Sequence, residues 1–417
     1  MRTKHPSHPA AIPQKGAPDL FRDVSLSAII AGVMAVAVSF GGPAAIIFQA
    51  AHVAGLSQAQ LSSWIWAICI GGGLTGIALS FKYREPIITA WSTPGVALLA
   101  AGWASYPYPE AIGAFVVAGL LLTASGVTGF FQVLMDRIPR PVMGAMLAGI
   151  LLRFGVGVFD YLGKAPLLAG AMLIIYLIAK RVTPRYAIVL TLLAGFVTAG
   201  LTGALSWGPL AGSAGGASAA MSHGALAAPL FTMPVFSLKA IIGLGLPLFL
   251  VTMAGQNAAG IGVLRASGYQ APASPLVGLT GLASTLLAPF GCHGVNLSSL
   301  TAAICTGPEA HPDPAKRYIA GLSCGLCYLL VGVFGAALVG VFMALPGALI
   351  AVASGLALFG AITSGLTQAM EDATKRDAAL VTLLITASGV SFFGIGSAFW
   401  GLVGGLVADR AFSGRRP

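Results

Sequence analysis

The sequence predicts an all-α polytopic membrane protein with about 14 transmembrane segments, built as a 7+7 inverted repeat with two interrupted half-helix segments. Of its 417 residues, 57% are hydrophobic and 8% are charged, whereas a soluble domain carries roughly 25% charged residues. Apolar runs of about 20 residues, the length that crosses a bilayer, recur along the chain. Two such runs are broken by Pro and Gly at corresponding places in the two halves, a pattern typical of transporter substrate sites.

Uninterrupted apolar runs long enough to span a membrane make up most of the predicted segments. They cover 24–42, 58–80, 111–135, 141–159, 165–179, 186–206, 238–264, 318–344, 347–369, 378–393 and 395–409. A shorter run at 273–287 and the interrupted segments 87–105 and 287–306 complete the set of fourteen.

The basic residues predict the orientation of these spans. If the N-terminus is cytoplasmic, all of the 22 Lys and Arg residues except Lys164, Lys239 and Arg153 fall in cytoplasmic tails and loops, as the positive-inside rule requires. The net charge of +10 is therefore explained by topology, and we expect no nucleic-acid partner. Residues 1–22 and 411–417 are the predicted cytoplasmic N-terminal and C-terminal tails. The segment 207–236 has no Lys or Arg and is predicted to be an extracytoplasmic loop.

Similar sequences recur in the two halves of the chain. SLSAII at 25–30 returns as SLKAII at 237–242, and Gly126-Val127 matches Gly332-Val333 at a spacing of 206 residues. With seven spans in each half, the second copy enters the membrane from the opposite side. The repeats are therefore predicted to be inverted.

The two interrupted segments share one plan. ITAWSTPGVALLAA at 88–101 and LAPFGCHGVNLSSLTAAICT at 287–306 both place extended residues and a Pro/Gly break before a short helix. The predicted half-helices occupy 94–105 and 294–305, and inversion makes their N-termini face each other near the midplane. Two positive dipole ends in one small volume favour an anion.

Polar side chains near the breaks are the candidates for substrate contact, because polar residues inside a membrane are costly and usually functional. Gln256 and Asn257 lie in the middle of the span that opens the second repeat. The other candidates are Ser92, Thr93, Gly95, Gly294, Val295 and Asn296, together with Phe40, Trp91 and Phe290, which could hold an aromatic ring. The alternatives are helix packing for the amides, capping for the hydroxyls and an aromatic core for the rings.

His293 is the candidate for proton coupling. Neither interrupted segment, nor the spans 24–42 and 238–264, contains Asp or Glu, and an imidazole titrates near neutral pH. The alternative is a neutral histidine hydrogen-bonded to the backbone. Arg153 lies within a span and is expected to pair with Asp160 or to extend toward the membrane surface.

The sequence has no Walker motif, metal-ligand cluster or hydrolytic triad signature. We therefore expect no enzyme activity, no cofactor and no metal site. The predicted partners are the lipid bilayer, a small-molecule anion and a proton. The sequence leaves the oligomeric state open, a homodimer included.

STPGVALLA at 92–100 and GVNLSSLTAAICTGPEAHPDP at 294–314 resemble the signature segments of the benzoate:proton symporter family. The resemblance extends over roughly residues 20–410. That family is related to the uracil/xanthine permeases and the sulfate transporter family, which have a 7+7 inverted repeat. Nucleobase relatives use acidic residues near the site, where this chain has the amides Gln256 and Asn257, and this difference argues against a nucleobase substrate.

The resemblance also implies a division into two domains. The core domain would comprise residues 23–135 and 237–345, and the gate domain residues 136–206 and 346–410. It implies an aromatic carboxylate, taken up with a proton across the bacterial inner membrane. The leading hypothesis is a secondary-active importer of benzoate or a similar monocarboxylate, working by alternating access. The alternative is an anion exchanger or uniporter of the same fold.

Overall fold

The computed structural model describes residues 20–41, 44–129, 139–184, 187–204, 226–336, 345–390, 392–393 and 395–413. Most of the predicted tails 1–22 and 411–417 and of the predicted loop 207–236 lies outside these ranges. The C-terminal ends of the predicted spans 111–135 and 318–344 lie outside them too.

The first half of the described chain is a series of helices interrupted by one short strand. These elements are α1 (Leu20–Asp23), α2 (Leu26–Gly41), α3 (Ala44–Val53), α4 (Gln58–Tyr83), β1 (Thr89–Trp91), α5 (Thr93–Gly102), α6 (Tyr108–Thr128), α7 (Arg140–Lys164), α8 (Pro166–Val182) and α9 (Ala187–Leu201).

The second half follows the same plan. Its elements are α10 (Leu238–Ala266), α11 (Ala273–Leu287), β2 (Val295–Leu297), α12 (Leu300–Thr306), α13 (Tyr318–Val333), α14 (Gly347–Met370), α15 (Arg376–Ser388) and α16 (Ser397–Ser413). Within α10, Ile241–Gly245 and Met253–Asn257 form π-helical turns.

The described part of the chain is mostly helical, and eight of its helices are long and apolar enough to cross a membrane. The helix α9 is apolar but shorter. The protein is therefore a multi-pass membrane protein, as predicted. The total of fourteen segments and their 7+7 arrangement stay predictions.

The first span is longer than the predicted 24–42. The helices α2 and α3 together form one candidate span from Leu26 to Val53. The sequence Gly41-Gly42-Pro43 suggested an end to the span, but proline is well tolerated at the start of a helix. The ten residues that follow are apolar apart from Gln49 and His52, so a helix there can remain in the membrane.

The first interrupted segment has an extended strand, a break and then a short helix, as predicted. In the second segment the strand follows the break, and the half-helix begins later than expected. The strands β1 and β2 pair antiparallel, with Thr89 opposite Leu297 and Trp91 opposite Val295. The predicted half-helix 294–305 is therefore wrong at its start: Val295–Leu297 is strand, and α12 begins at Leu300. The pairing with β1 provides backbone partners that a helix would otherwise supply.

Hydroxyl and amide side chains complete the hydrogen bonding of this buried extended backbone. Ser80 of α4 bonds both the N–H and the C=O of Ile87. Ser284 of α11 does the same for Val295. Non-helical backbone at membrane depth is tolerated only where protein or water satisfies it, and these two serines meet that need.

The helices pack in two groups. In the first group, α7 packs on α14 and on α15, and α15 packs on α16. In the same group α8 packs on α9. A buried cluster that includes Val158, Met172, Tyr176, Leu349 and Leu356 fills this group. In the other group α4 packs on α13 and α6 on α11. The groups meet where α5 contacts α7 and α3 contacts α14, so the first half-helix lies at the boundary between them.

Charged residues join loops at the predicted cytoplasmic end. Asp23 accepts hydrogen bonds from Arg84 at 3.2 Å and Tyr318 at 2.9 Å. The Glu85 carboxylate accepts from the backbone N–H groups of Gln270 and Ala271. Burial raises the pKa of Glu85, and the two N–H donors oppose that shift. These contacts hold the start of the first interrupted segment against the loop that follows α10.

Candidate functional site

The two interrupted segments meet the middle of α10 where β1 pairs with β2. His293 Nε2 lies 3.3 Å from the carbonyl oxygen of Ser92, and Thr252 Oγ1 donates to Ser92 Oγ at 3.0 Å. Asn257 Oδ1 accepts from the N–H of Leu297 at 3.0 Å. The structure therefore brings together one break from each half of the chain and the polar centre of α10.

The N-terminus of α5 is capped within the protein. Ser92 Oγ accepts from the N–H of Gly95 at 3.1 Å, and Pro94 has no N–H to offer. A Cβ on Gly95 would lie 2.7 Å from Leu248 of α10, so this glycine permits close helix packing. Thr93 is half-buried, and its hydroxyl has no partner among the described residues. The first turn thus offers a ligand the helix dipole and the Thr93 side chain.

Asn296 has a fully buried side chain whose polar atoms have no partner in the described part of the chain. Both Oδ1 and Nδ2 lack a hydrogen bond, and the residue is 0% exposed. Asn296 lies opposite Ala90 in the strand pair. Successive side chains of a strand point to opposite faces, and its neighbour Val295 packs on Gly71 of α4. Asn296 therefore points away from α4 and can offer both a donor and an acceptor.

Open space lies beside Gly294, two residues before Asn296. A Cβ on Gly294 would meet no atom within 4 Å, and its φ is +154°. L-residues rarely adopt this conformation. The predicted residue Val295 is buried and lends its backbone to β2. In the second break, Gly294 consequently has open space beside it and Asn296 has polar atoms without a partner among the described residues.

Gln256 and Asn257 both lie in the π-helical turn Met253–Asn257, a distortion often found at functional sites. The Asn257 side chain is fully buried and accepts the N–H of Leu297. Gln256 is half-buried, and its amide has no hydrogen-bond partner among the described residues. The adjacent amides are therefore in different situations: one holds β2 in place, and the other can reach a ligand.

This difference predicts separate effects on stability and binding. Asn257→Ala leaves the buried N–H of Leu297 without an acceptor and should destabilise the protein by about 1–3 kcal/mol. Gln256→Ala should leave stability unchanged and weaken ligand binding. Thermal unfolding in detergent and calorimetric titration of benzoate measure the two effects. Equal loss of stability in both variants would contradict the assignment.

His293 is 2% exposed and both of its ring nitrogens have partners. Nδ1 accepts from Trp64 Nε1 at 2.9 Å. An indole nitrogen can only donate, so we assign the imidazole proton to Nε2, which faces the Ser92 carbonyl. The rings of Trp64 and Phe115 surround the imidazole at centroid distances of 5.5 and 6.5 Å. This geometry fits a neutral histidine, and a second proton on Nδ1 would require Trp64 to move.

Two of the three predicted aromatic residues lie together, and the third does not contact them. The rings of Phe40 and Trp91 are 4.9 Å apart, and Tyr328 of α13 lies 5.9 Å from Trp91. Phe290 instead packs against Trp66 and Phe231.

Sequence reasoning missed three residues at or near this site. Tyr328 and Trp64 lie in ordinary apolar runs and carried no local signal. Gln49 Oε1 is buried without a partner in the described part of the chain, on α3, which contacts α5 and α14. Gln49 is the one amide in the apolar run AAIIFQAAHV at 44–53, and such a residue is a candidate for a buried functional group. The predicted first span ended at residue 42 and therefore did not include it. Among the described residues, no group of three or more His, Cys, Asp or Glu could hold a metal ion.

Comparison with known proteins gives closely matching relatives over nearly the whole chain. A family model described as "Benzoate membrane transport protein" matches residues 22–411. The chain is 43% identical over 390 residues to the inner membrane protein YdcO of Escherichia coli (strain K12), covering 92% of this chain and 97% of that protein. It is 41% identical over 389 residues to the benzoate membrane transport protein of Acinetobacter baylyi (strain ATCC 33305 / BD413 / ADP1), covering 93% and 96%.

Solved structures share the fold at low sequence identity. SLC26A9 matches with a TM-score of 0.62 and 13% identity, over 94% of this chain and 66% of that one. The transmembrane domain of the cyanobacterium bicarbonate transporter BicA matches with a TM-score of 0.60 and 15% identity, over 92% and 96%. The family model and the two relatives above 40% identity establish that the chain belongs to the benzoate membrane transport protein family, whose members are membrane transporters rather than enzymes.

Proposed function

We propose that this protein is a secondary-active importer of benzoate or a similar aromatic monocarboxylate, coupled to proton uptake across the bacterial inner membrane. The observation that carries the proposal is the unpartnered buried amide of Asn296, two residues along the chain from the open space at Gly294. Burying polar atoms without partners costs free energy. A bound carboxylate would accept a hydrogen bond from Nδ2 of Asn296 and so remove part of that cost.

The depth of this site follows from the length of α5. Its ten residues rise about 15 Å, roughly half the thickness of the hydrocarbon core. Its N-terminus therefore lies near the midplane if its C-terminus reaches the surface. A carboxylate there would also gain from the α5 dipole. Phe40, Trp91 and Tyr328 pack together on the other face of the strand pair, because Trp91 lies opposite Val295 and Asn296 lies opposite Ala90.

The pairing of helices supports an inverted repeat. If α2–α9 and α10–α16 are equivalent halves, the contact of α6 with α11 corresponds to the contact of α13 with α4. Likewise α6 packs on α10 as α13 packs on α2, and α8 packs on α9 as α15 packs on α16. Such symmetry permits alternating access, in which the group that holds the strand pair moves against the group built on α7 and α14.

A proton would remove the electrical penalty of import. An ionised carboxylate moving inward works against an inside-negative potential at about 2.3 kcal/mol per charge per 100 mV. His293 lies next to the Ser92 carbonyl and is the titratable candidate. Its second proton must enter at Nδ1, so we infer that protonation accompanies a rotation of Trp64 away from the imidazole.

His293→Gln is expected to separate binding from proton coupling. Glutamine keeps hydrogen bonding but cannot titrate, so benzoate binding at neutral pH and substrate counterflow should survive. Accumulation driven by a pH gradient should be lost. Trp64→Phe, which frees Nδ1 and keeps the imidazole, should retain gradient-driven uptake. If His293→Gln still concentrates benzoate in response to a pH gradient, the proton uses another group.

An anion exchanger or uniporter is the second candidate function. The hydrogen bonds that occupy both nitrogens of His293 favour it, because they fit a residue that stays neutral. The anion transporter SLC26A9 and the bicarbonate transporter BicA share the fold.

Uptake of labelled benzoate into proteoliposomes distinguishes these functions. A symporter concentrates benzoate when the lumen is more alkaline than the medium, and a protonophore abolishes that accumulation. A uniporter only equilibrates the substrate, and an exchanger requires a counter-anion in the lumen. Protein-free liposomes give the background from diffusion of the uncharged acid. Absence of any protein-dependent benzoate flux would reject the proposed substrate.

A further inference from the structure

A cavity lies between the two helix groups, apart from the strand pair. It measures about 60 Å³, enough for several water molecules. Its walls come from α5, α7, the start of α10, α15 and α16, and include Leu98, Tyr106, Arg153, Gly243 and Ser397. The single charged residue among the described residues that line it is Arg153.

Arg153 has no anionic partner in the described part of the chain. The predicted pair with Asp160 is not formed, and no described residue makes a hydrogen bond or an ion pair with the guanidinium. Arg153 and Asp160 are seven residues apart on α7, so their backbones are separated by about 10 Å along the helix. Only extended side chains could bridge that distance. Nη1 would lie 2.9 Å from a Cβ on Gly389, so the guanidinium lies beside the C-terminus of α15. The negative end of that helix favours a cation, but the five N–H donors of Arg153 remain without acceptors.

The position of Arg153 makes an unpaired charge unusual. It lies thirteen residues into the 25-residue helix α7, about 20 Å from the start and near the centre of the span. Charged residues at this depth are rare, usually face a protein or water-filled interior, and are generally functional. Arg153 is not buried by the protein and lines a cavity, as that rule requires.

We propose that Arg153 forms a second carboxylate-binding subsite, which receives the substrate on the predicted extracytoplasmic side of the strand pair. This inference rests on the proposed transport of a monocarboxylate. The helix α5 connects the two places: Ser92 and Thr93 mark the strand pair, and Leu98 and Gly102 line the cavity. Those residues are five and nine positions beyond Thr93, or about 8–14 Å along the helix. A planar guanidinium binds a carboxylate with two parallel hydrogen bonds, and the cavity supplies room at its N–H groups.

The test compares Arg153→Gln and Arg153→Lys with Lys164→Gln, a matched change of charge on the same helix outside the cavity. Initial rates of benzoate uptake into proteoliposomes give KM and kcat. Arg153→Gln should raise KM at least tenfold with kcat changed less than threefold, Arg153→Lys should have an intermediate effect, and Lys164→Gln should match the wild type. High salt should raise KM of the wild type more than that of Arg153→Gln, because a charge interaction is screened. A KM within twofold of the wild type, together with lower thermal stability, would show that Arg153 only stabilises α15 and would overturn the subsite.

Calorimetric titration of the purified protein with benzoate, acetate and benzamide separates this inference from the proposed function. Benzamide is a neutral analogue of similar shape and should be insensitive to the Arg153→Gln change. If the wild type binds acetate through Arg153 but neither binds nor transports benzoate, the proposed substrate fails and the subsite stands. If the wild type transports benzoate and Arg153→Gln binds it equally well, the proposed function stands and the subsite fails.

Discussion

Gly294→Leu is expected to reduce benzoate uptake at least a hundredfold. A leucine side chain would enter the open space beside Gly294, where a Cβ meets no atom within 4 Å, and would occupy the volume proposed for the ligand. The backbone also resists the change, because φ is +154° and such conformations cost L-residues about 1–3 kcal/mol. Uptake into proteoliposomes and binding in detergent measure the loss.

Gly262→Leu is the matched control for this substitution. Gly262 lies on α10, is exposed, and likewise has no atom within 4 Å of a Cβ, but its φ is not positive. The Gly262→Leu variant should transport benzoate at the wild-type rate. Gly294→Ala separates strain from volume, since it carries the same unfavourable φ with a single methyl group. If Gly294→Ala and Gly294→Leu reduce uptake equally, backbone strain is responsible. A near-normal KM for benzoate in Gly294→Leu would show that the ligand binds elsewhere.

Asn296→Leu is expected to weaken benzoate binding tenfold to a hundredfold while leaving the ligand-free protein as stable as the wild type or more so. The lost hydrogen bond to a charged carboxylate accounts for about 1.5–3 kcal/mol of binding, and each 1.4 kcal/mol is about tenfold in affinity. Stability should not fall, because neither amide atom of Asn296 has a partner among the described residues, and an apolar side chain removes the cost of burying them.

Asn257→Leu provides the comparison, because it changes the same residue type on a neighbouring buried position. It removes the acceptor for the N–H of Leu297, so thermal stability should fall. Calorimetric titration and thermal unfolding of both variants, measured side by side, decide the roles. A loss of stability in Asn296→Leu with unchanged affinity would make Asn296 a packing residue and remove the main support for the proposed site.

The amino-acid sequence by itself determined the membrane class, the places where the chain leaves helical conformation and the family. Low charge and 20-residue apolar runs are enough to predict spans, since lipid offers the backbone no partners. Pro94 and Gly294 mark the two breaks, because these residue types disfavour a continuous helix. The candidates Ser92, Gln256 and His293 were found by the rarity of polar residues in such runs.

Only the tertiary structure decided what each of these residues does. Local sequence could not show that β2 replaces the first turn of the second half-helix, because its partner β1 is about 200 positions away. The same holds for the neighbours Gln256 and Asn257, of which one reaches the backbone of Leu297 and the other does not. The Trp64 donor to His293 comes from α4, more than 200 residues earlier in the chain. The hydrogen bonds that join the two breaks to each other and to α4 and α10 connect residues distant in sequence, so packing decides which buried polar groups remain without a partner.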